Sequence, residues 1–329
     1  MDATLSTQLL SVESLRVHLT TRDVRITPVD DVSLSIERGE VLGIVGESGS
    51  GKTLTLRAIM GLLPPGGEIE GSLRFSIPPV TGDDPAPDDV RGHGVAMIFQ
   101  EPMTALNPTM RVGDLVAEGV RSRRDVGRSE ARRRAVELLG SVGIANPEER
   151  ARMWPHELSG GLRQRVMIAA ALATEPALLL CDEPTTALDV TIQDQILGLL
   201  ARVRRDLGMA IVFVTHDLAV IAEMCDRIAV MYAGRIVELG RADDVLSSPS
   251  HPYTAALIAS APSFHGASEP LEGIGGRPPD PRGFPPGCRF APRCGFARDD
   301  CRAAPHRLVS IGGHATACIH PEVLEGSLT

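Results

Sequence analysis

The chain has 329 residues, of which 43% are hydrophobic and 23% are charged, and its formal net charge at pH 7 is −9. This length allows one large domain and a smaller one, and the apolar fraction is sufficient for a folded core. A broad basic face that could bind a phosphate backbone is not expected at this charge, which argues against nucleic acid as the main partner.

The sequence also lacks an apolar stretch that could cross a bilayer, for which about 20 residues are needed. Its most apolar region, residues 166–181, is interrupted by Thr174, Glu175 and Pro176. The first ten residues contain Asp2 and no basic residue ahead of an apolar run, so no secretory signal is expected. Six cysteines without such a signal indicate a reducing compartment. We therefore expect a soluble intracellular protein.

Up to about residue 260, short apolar runs typical of buried strands alternate with stretches of helical periodicity. The predicted strands are Val41–Val45, 95–99, 177–181 and Ala210–Val214. The predicted helices are 54–63, 166–173 and 191–207. This alternation predicts an α/β core with a largely parallel sheet. Two apolar runs flanking Ala233 and Gly234 predict an antiparallel hairpin.

Between about residues 102 and 160 the strand-like runs disappear, and an arginine-rich helical pattern takes their place, most clearly at residues 128–140. This change predicts a helical subdomain inserted into the α/β domain. Its basic run, residues 121–134, is interpreted as a solvated helix face whose arginines pair with Asp125 and Glu130.

After residue 260 the composition changes again. Nine of the 25 prolines and four of the seven phenylalanines lie between Pro262 and Pro305. So many prolines disfavour regular helix or sheet, whereas the aromatic residues argue against a disordered tail. We predict a main domain over residues 1–260 and a small folded extension over residues 261–329.

A phosphate-binding pattern lies between the first predicted strand and the helix that follows it. Residues 46–53 read Gly-Glu-Ser-Gly-Ser-Gly-Lys-Thr and match G-x-x-x-x-G-K-[ST] in the required strand–loop–helix context. Glycines allow successive backbone N–H groups to point into one concavity, and the helix N-terminus adds positive potential. Lys52 would reach the β- and γ-phosphates, and the Thr53 hydroxyl would bind Mg²⁺. The predicted phosphate-binding residues are Gly46, Ser48, Gly49, Ser50, Gly51, Lys52 and Thr53.

Two carboxylates follow a second apolar run. Asp182, after residues 178–181, could hold Mg²⁺ directly or through water, and Glu183 could polarise a water aimed at the γ-phosphate. Alone, this pattern is weak, because a strand followed by an acidic turn is common. A phosphate loop in the same chain favours the functional interpretation. His216, after the strand Ala210–Val214, would by itself more often be a structural histidine.

The phosphate loop, Asp182, Glu183 and His216 are accompanied by three further elements: Gln100, the Leu-Ser-Gly-Gly segment at residues 158–161 and the Ala-Leu-Asp segment at residues 187–189. Together these elements occur in the order of an ABC-transporter ATPase cassette. The chain resembles this family over about residues 8–260. The resemblance implies an α/β, ABC-type P-loop nucleotide-binding domain with an inserted helical subdomain and a small Cys/Pro-rich C-terminal extension. It also implies ATP and Mg²⁺ as ligands.

The resemblance implies a mechanism as well. Two cassettes close head to tail and trap ATP between the phosphate loop of one and the Ser-Gly-Gly segment of the other. Glu183 would be the general base, His216 the γ-phosphate contact, and Gln100 the sensor of Mg²⁺ and water. The residues that would act across the dimer are Ser159, Gly160 and Gly161, which face the partner's ATP, and Asp189, which communicates between the cassettes.

The sequence departs from the family where an aromatic ring usually stacks on adenine. The strand before the phosphate loop reads Val-His-Leu-Thr at residues 17–20, which leaves His18 or Leu19 as candidates for this contact.

Segments at residues 99–108, 251–254 and 285–294 resemble the oligopeptide/dipeptide importers within this family. That branch implies a second, typically non-identical ATPase subunit, two transmembrane permeases and an extracytoplasmic peptide-binding protein. It places the chain peripherally at the cytoplasmic face of the cell membrane, with residues 101–108 and the helical insertion as the docking surface. The alternatives are nickel or glutathione as cargo, a soluble ABC ATPase acting on DNA or ribosomes, and a non-catalytic scaffold.

The cysteines form two groups. Cys181 and Cys225 are interpreted as core residues. The four cysteines of the extension, separated by five, six and sixteen residues, suggest a site that replaces a missing core; they are Cys288, Cys294, Cys301 and Cys318. Zinc sites more usually contain C-x₂₋₄-C pairs, which are absent here. The resemblance implies a [4Fe–4S] cluster, with zinc, assisted by His306, His314 or His320, or unligated thiols as alternatives.

Overall fold

The computed structural model describes residues 8–21, 24–77, 85–186, 188–262 and 273–324. Asp2, Ala187 and Phe264, the first of the four phenylalanines of the extension, lie outside this part of the chain. The chain divides into two compact units. The first unit comprises Met1–Leu10, Ile36–Gly39 and Arg74–Val212, and the second comprises Ser11–Ser35, Glu40–Leu73 and Phe213–Thr329. The predicted boundary near residue 260 stays a prediction.

The strands of the described residues are β1 (Gln8–Thr21), β2 (Val24–Glu37), β3 (Val41–Val45), β4 (Glu68–Phe75), β5 (Val95–Ile98), β6 (Leu178–Asp182), β7 (Ala210–Val214), β8 (Arg227–Tyr232), β9 (Arg235–Arg241), β10 (Val309–Ile311) and β11 (His314–Thr316). The helices are α1 (Lys52–Ile59), α2 (Pro87–Val90), α3 (Pro102–Ala105), α4 (Val112–Arg123), α5 (Arg128–Ser141), α6 (Pro147–Arg150), α7 (Gly160–Leu172), α8 (Val190–Leu207), α9 (Leu218–Met224), α10 (Ala242–Ser247) and α11 (Pro252–Ala259). None of these helices is both long and apolar enough to cross a membrane.

Parallel strand pairs confirm the predicted α/β arrangement. In the first unit β5 pairs with β6, with Ile98 opposite Cys181. In the second unit β3 pairs with β8, with Val45 opposite Val230. These strands are fully buried, which explains why they read as continuous apolar runs. The predicted antiparallel hairpin is also confirmed, as β8 and β9.

A second sheet, with strand order β2-β1-β4, was not predicted from the sequence. β1 and β2 alternate buried with more exposed residues over part of their length, and β4 is largely exposed, so these strands lack the continuous apolar signal of the parallel strands. In β1 the alternation is also broken at Ser14, whose φ of 49° lies in the left-handed region between buried Val12 and Leu15.

The first unit contains the predicted helices of residues 102–160. α4 packs against α5 and α7. Glu130 forms ion pairs with Arg133 and Arg134, as expected for a solvated helix face, while Arg132 pairs with Asp114. The helix predicted at 166–173 begins earlier, at Gly160. Its first turns carry glycines and polar residues, which hide the apolar periodicity until Val166.

The described part of the C-terminal extension is built mostly from turns, as its proline content predicts. Its regular elements are a 3₁₀ turn at Asp300–Arg302, the β10–β11 hairpin and a 3₁₀ turn at Pro321–Leu324. β11 pairs antiparallel with β9, which continues the sheet of the second unit. Phe290 packs its ring against Tyr232 and Tyr253 at centroid distances of 5.3 and 5.4 Å. Apolar contacts of this kind attach the extension to the core.

Candidate functional site

The phosphate loop connects β3 to α1 in the second unit, and its glycines are required by their surroundings. Gly46, Gly49 and Gly51 have φ values of 152°, 79° and 106°, which disfavour other residues. A Cβ atom at Gly46 would lie 2.0 Å from the carbonyl oxygen of Met231. A Cβ at Gly51 would lie 2.7 Å from Cε of Met231. The loop therefore packs directly against the end of β8.

Lys52 begins α1, and its side chain folds back over the loop. The residue is 6% exposed, and its Nζ donates hydrogen bonds to the carbonyl oxygens of Gly46 at 2.8 Å and Glu47 at 3.0 Å. The Ser50 hydroxyl is also buried, and Oγ has no hydrogen-bond partner among the described residues. A buried ammonium and a buried hydroxyl without a partner, beside a helix N-terminus, fit a phosphate ligand. Thr53 follows Lys52 in the first turn of α1.

His216 follows β7 in the second unit. The backbone N–H of Thr215 donates to the carbonyl of Ile44 at 3.3 Å, which brings the end of β7 beside the strand that leads into the phosphate loop. His216 is exposed at this edge. The next residue, Asp217, caps α9 by accepting from the Ala219 N–H at 2.9 Å. His216 therefore directly follows a strand end that lies beside β3, the strand that leads into the phosphate loop.

In the first unit, Gln100 and Glu183 are brought together. Because β5 and β6 are parallel neighbours, the residues after their carboxyl ends meet at one edge of the sheet. Gln100 Nε2 lies 3.4 Å from a carboxylate oxygen of Glu183, and Thr186 Oγ1 donates to that oxygen at 2.8 Å. Glu183 has a φ of 46°, a strained conformation for a side chain of this size. Asp182, at the end of β6, is buried.

The Ser-Gly-Gly segment lies at the N-terminus of α7, also in the first unit. Ser159 is the N-cap residue, and no side chain caps the helix there. Ser159 and Gly160 are exposed, and no atom lies within 4 Å of the position that a Gly160 Cβ would occupy. Asp189 caps α8, since its Oδ1 accepts from the Ile192 N–H at 2.9 Å. This local role is one that the sequence analysis missed, and an N-cap aspartate is a signal that could have revealed it.

His18 and Leu19, the candidates for the adenine contact, lie in β1. The His18 ring bonds to Thr27 Oγ1 at 3.0 Å, and its Nε2 lies 3.2 Å from the Glu70 carboxylate. The side chain is 12% exposed. The two ring nitrogens of His18 thus face Thr27 of β2 and Glu70 of β4. A contact between His18 and adenine stays a prediction.

The four cysteines of the extension line one largely apolar cavity together with Phe290, Phe296, His306 and His320. Burial raises the pKa of the Cys288 and Cys294 thiols and raises the pKa of Cys318 to about 11, and neighbouring thiolates act in the same direction. Thiolates this close require a compensating cation, as in a metal site. The four sulfur atoms therefore form a donor set that fits a metal group.

The distances between these four sulfurs indicate which kind of metal group they could hold. Among the described residues, which include all four cysteines, no three of the sulfurs lie within 4.8 Å of one another. Sulfurs around one tetrahedral zinc are about 3.8 Å apart, given Zn–S bonds near 2.3 Å. A tighter set exists beside them, where ligand atoms of Asp300, Cys301 and His320 lie within 4.8 Å. Cys181 is buried, and the Cys225 sulfur would lie 2.9 Å from a Cβ at Gly43, as expected for core residues.

The sequence analysis missed three residues at the phosphate loop. Glu47 stands at a position that the loop pattern leaves open, yet its carboxylate is bound by Arg293 of the extension, and its N–H donates to the Tyr253 hydroxyl at 2.8 Å. Neither partner has a local sequence signal for this contact.

Two family models match the chain. The model described as "ABC transporter" matches residues 29–186, and the model described as "Oligopeptide/dipeptide transporter, C-terminal region" matches residues 237–301. An oligopeptide transport ATP-binding protein, OppD of Escherichia coli, is 45% identical over 95% of this chain and 93% of its own length. A dipeptide transport ATP-binding protein, DppD of Haemophilus influenzae, is 45% identical over 95% of this chain and 96% of its own length.

A solved structure, the dimeric post-hydrolysis state of the ATP-binding cassette MJ0796 bound to ADP and Pi, matches with a TM-score of 0.62. It is 29% identical, and the match covers 71% of this chain and 99% of that one. The fold and the phosphate loop thus define an ATP-hydrolysing cassette. The chain belongs to the ABC transporter family, in the branch of oligopeptide and dipeptide transport ATP-binding subunits.

Proposed function

We propose that this chain hydrolyses ATP to ADP and phosphate and thereby powers the import of di- and oligopeptides through membrane permeases. The observation that carries the proposal is the glycine-dependent phosphate loop with its buried lysine, in a chain that aligns over 95% of its length with an oligopeptide transport ATP-binding protein. Curated relatives named for oligopeptide and for dipeptide transport favour peptide cargo.

In this proposal, the phosphate loop binds the β- and γ-phosphates through its N–H groups, the Ser50 hydroxyl and Lys52. Displacing the ammonium from the Gly46 and Glu47 carbonyls would redirect it to phosphate. Thr53, Asp182 and Gln100 would hold Mg²⁺, which neutralises charge on the phosphates when bound. Glu183 accepts a proton from the attacking water. Gln100 and Thr186, both within reach of the Glu183 carboxylate, orient it for that task.

A second cassette completes each site. The exposed, uncapped N-terminus of α7 presents backbone N–H groups that suit an anion. Ser159, Gly160 and Gly161 would therefore bind the γ-phosphate held by the partner, and His216 the γ-phosphate of its own loop. Asp189, at the N-terminus of α8, would carry the signal between cassettes. We expect the partner to be a non-identical ATPase subunit.

We further infer a peripheral position at the cytoplasmic face of the cell membrane, beneath two permeases that are supplied by an extracytoplasmic peptide-binding protein. Residues 101–108 and the helices that follow are the proposed docking surface. A groove in this region supports the proposal, because it mixes charged and aromatic side chains suited to a helical partner; it is lined by residues that include Arg111, Asp114, Glu118, Arg121 and Trp154.

For the extension we propose a [4Fe–4S] cluster held by Cys288, Cys294, Cys301 and Cys318. The four sulfurs line one cavity, and among the described residues no three of them lie within 4.8 Å of one another. This is wider than the sulfur spacing around a single metal ion, and it supports a group that contains several metal ions. The backbone N–H of Arg298 lies 3.5 Å from the Cys301 sulfur, a hydrogen bond typical of cluster ligands. When bound, the group would replace the missing apolar core of this segment. Iron, sulfide and zinc analysis of protein purified without oxygen, with an absorption spectrum, tests this: zinc alone, or no metal, contradicts it.

The catalytic assignment is tested with Glu183→Gln in the assembled transporter. This variant keeps the shape of the side chain but cannot accept the proton, so turnover should fall by about 10²- to 10⁴-fold while ATP still binds. Glu175→Gln is the control, because this carboxylate, paired with Arg124 ahead of β6, is remote from the proposed chemistry. Normal ATP hydrolysis by Glu183→Gln would show that another group is the base.

A further inference from the structure

The C-terminal extension holds the phosphate loop through one partly buried ion pair. Both carboxylate oxygens of Glu47 are engaged by Arg293, one guanidinium nitrogen at 2.6 Å and the other at 3.0 Å. The Arg293 side chain is only 4% exposed. Hydrogen bonding to Glu47 raises the pKa of Arg293 further above its ordinary range, so the guanidinium stays charged. A bidentate pair of this kind, with the arginine buried and the carboxylate partly exposed, fixes geometry as well as charge.

Arg293 is itself fixed on every side. Its Nε donates to the carbonyl of Gly275 at 2.8 Å, and a terminal nitrogen donates to Ile274 at 3.1 Å. The guanidinium also donates to the Tyr232 hydroxyl at 3.2 Å and lies 5.8 Å from the centre of the Phe290 ring. These partners leave the side chain a single arrangement, which it imposes on Glu47.

The position of Arg293 in the chain connects it to the cysteine cavity. Its backbone N–H donates to the carbonyl of Phe290 at 2.8 Å, and the Ala291 N–H donates to Cys288 at 3.1 Å. The next residue, Cys294, lines the cavity with Cys288. The turn that carries Arg293 is therefore built between two of the four cysteines.

On the other side of the ion pair, Glu47 is linked to the lysine. Its carbonyl oxygen accepts from Lys52 Nζ, and its N–H is held by Tyr253. A shift of the Glu47 backbone would thus move one of the two carbonyls that hold the ammonium. The apolar packing of Phe290 already attaches the extension, and a partly exposed ion pair is on balance a modest source of stability. Its value here lies in positioning.

We propose that Arg293 is a positioning residue for nucleotide binding: acting through Glu47, it sets the phosphate loop and Lys52 in the conformation that receives ATP. The inference rests on the nucleotide site proposed above. It gives the extension a role in the affinity for ATP, because the turn between Cys288 and Cys294 holds the arginine.

The test is a double-mutant cycle on the full chain, with MgATP binding measured by calorimetry. Arg293→Gln and Glu47→Gln should each weaken binding on the order of tenfold, the usual scale of coupling between sites. Arg293→Lys should recover part of the lost affinity, because lysine keeps the positive charge but cannot donate to both carboxylate oxygens through two parallel N–H groups. The double variant should bind no more weakly than either single one, because both remove the same contact. In the assembled transporter, KM for ATP should rise more than kcat falls.

Arg282→Gln is the matched control. Arg282 forms a similar two-oxygen pair with Asp280 in the same extension, with Nε 3.0 Å from Oδ1 and 3.1 Å from Oδ2. Among the described residues, its interactions do not include the phosphate loop. This variant should bind MgATP as the wild type does.

Two results would count against the positioning role of Arg293. Wild-type affinity in both Arg293→Gln and Glu47→Gln overturns the inference, and so do losses that multiply in the double variant. Thermal unfolding identifies any variant that is unfolded, and Glu47→Gln then serves as the milder probe. Failure of the wild-type chain to bind MgATP would instead contradict the proposed nucleotide site.

Discussion

The phosphate loop and the C-terminal extension are held in place by different forces. The loop is fixed mainly by its own backbone: glycines that fit against β8 and a lysine that bonds to two loop carbonyls. The extension depends on side chains that reach across hundreds of residues, such as Arg289, which binds Asp30 in β2 and stacks 3.8 Å above the Phe284 ring. Steric fit should therefore dominate the response of the loop to mutation, whereas the extension, which also packs through apolar contacts, should respond to changes of charge as well.

The largest effect is expected from Gly46→Ala. The new Cβ would lie 2.0 Å from the Met231 carbonyl oxygen, so the loop must move away from β8. A displacement of about 1 Å at a catalytic site can cost on the order of 100-fold in rate, and we expect at least that loss of ATPase activity in the assembled transporter. Gly39→Ala separates clash from strain: φ is 70° there, but no atom lies within 4 Å of its Cβ position. Comparable losses in the two variants would refute the steric explanation.

These positions also mark what sequence could and could not predict. The loop at residues 46–53 was predictable because its function depends on local backbone geometry. Gln100 and Glu183 were predictable as single residues, but their contact follows from the pairing of Ile98 with Cys181, which no local pattern encodes. The contact between Glu47 and Arg293 was missed altogether. It joins residues 246 positions apart, and the loop pattern accepts any residue at position 47.

The same reasoning applies to the elements. Fully buried strands such as β3 and β7 have the predicted bounds, because every residue in them is apolar. The half-exposed strands β1, β2 and β4 were not predicted, since they carry little continuous apolar signal and the pattern of β1 is broken at Ser14, which has a left-handed backbone. Tertiary pairing, not local propensity, determines these strands.

An effect of intermediate size is expected when acid weakens the ion pairs of Asp30, one of which attaches the extension to β2. Burial alone would raise the pKa of Asp30, but hydrogen bonds and charge from Arg235, Arg289 and Arg16 outweigh burial and hold the pKa below its ordinary value of 3.8. A depressed carboxyl pKa stabilises the fold above the unfolded value, and that stability is lost as pH falls through the folded pKa. The free energy of unfolding should thus decrease below about pH 4.

Asp30→Asn isolates this contribution. Between pH 5 and pH 2 the variant should lose less stability than the wild type, measured by urea unfolding, because its amide does not titrate. At pH 7 it should be the less stable protein, since three arginines have lost their charged acceptor. Parallel pH profiles for the two proteins would mean that Asp30 does not contribute to acid sensitivity, and that the charge-based attachment of the extension is unimportant.

The smallest effect, and the sharpest separation of binding from folding, is expected from Ser50→Ala. The hydroxyl is buried and has no hydrogen-bond partner among the described residues, so its removal takes away no internal bond. The free energy of unfolding should remain within about 0.5 kcal/mol of the wild type, or increase slightly, because a buried polar group without a partner is costly. ATP affinity should nevertheless fall by about 3- to 10-fold, the net value of one typical hydrogen bond. Calorimetry with MgATP and urea unfolding on the same samples measure both quantities. A loss of stability with unchanged affinity would show that the hydroxyl serves the fold and does not bind phosphate.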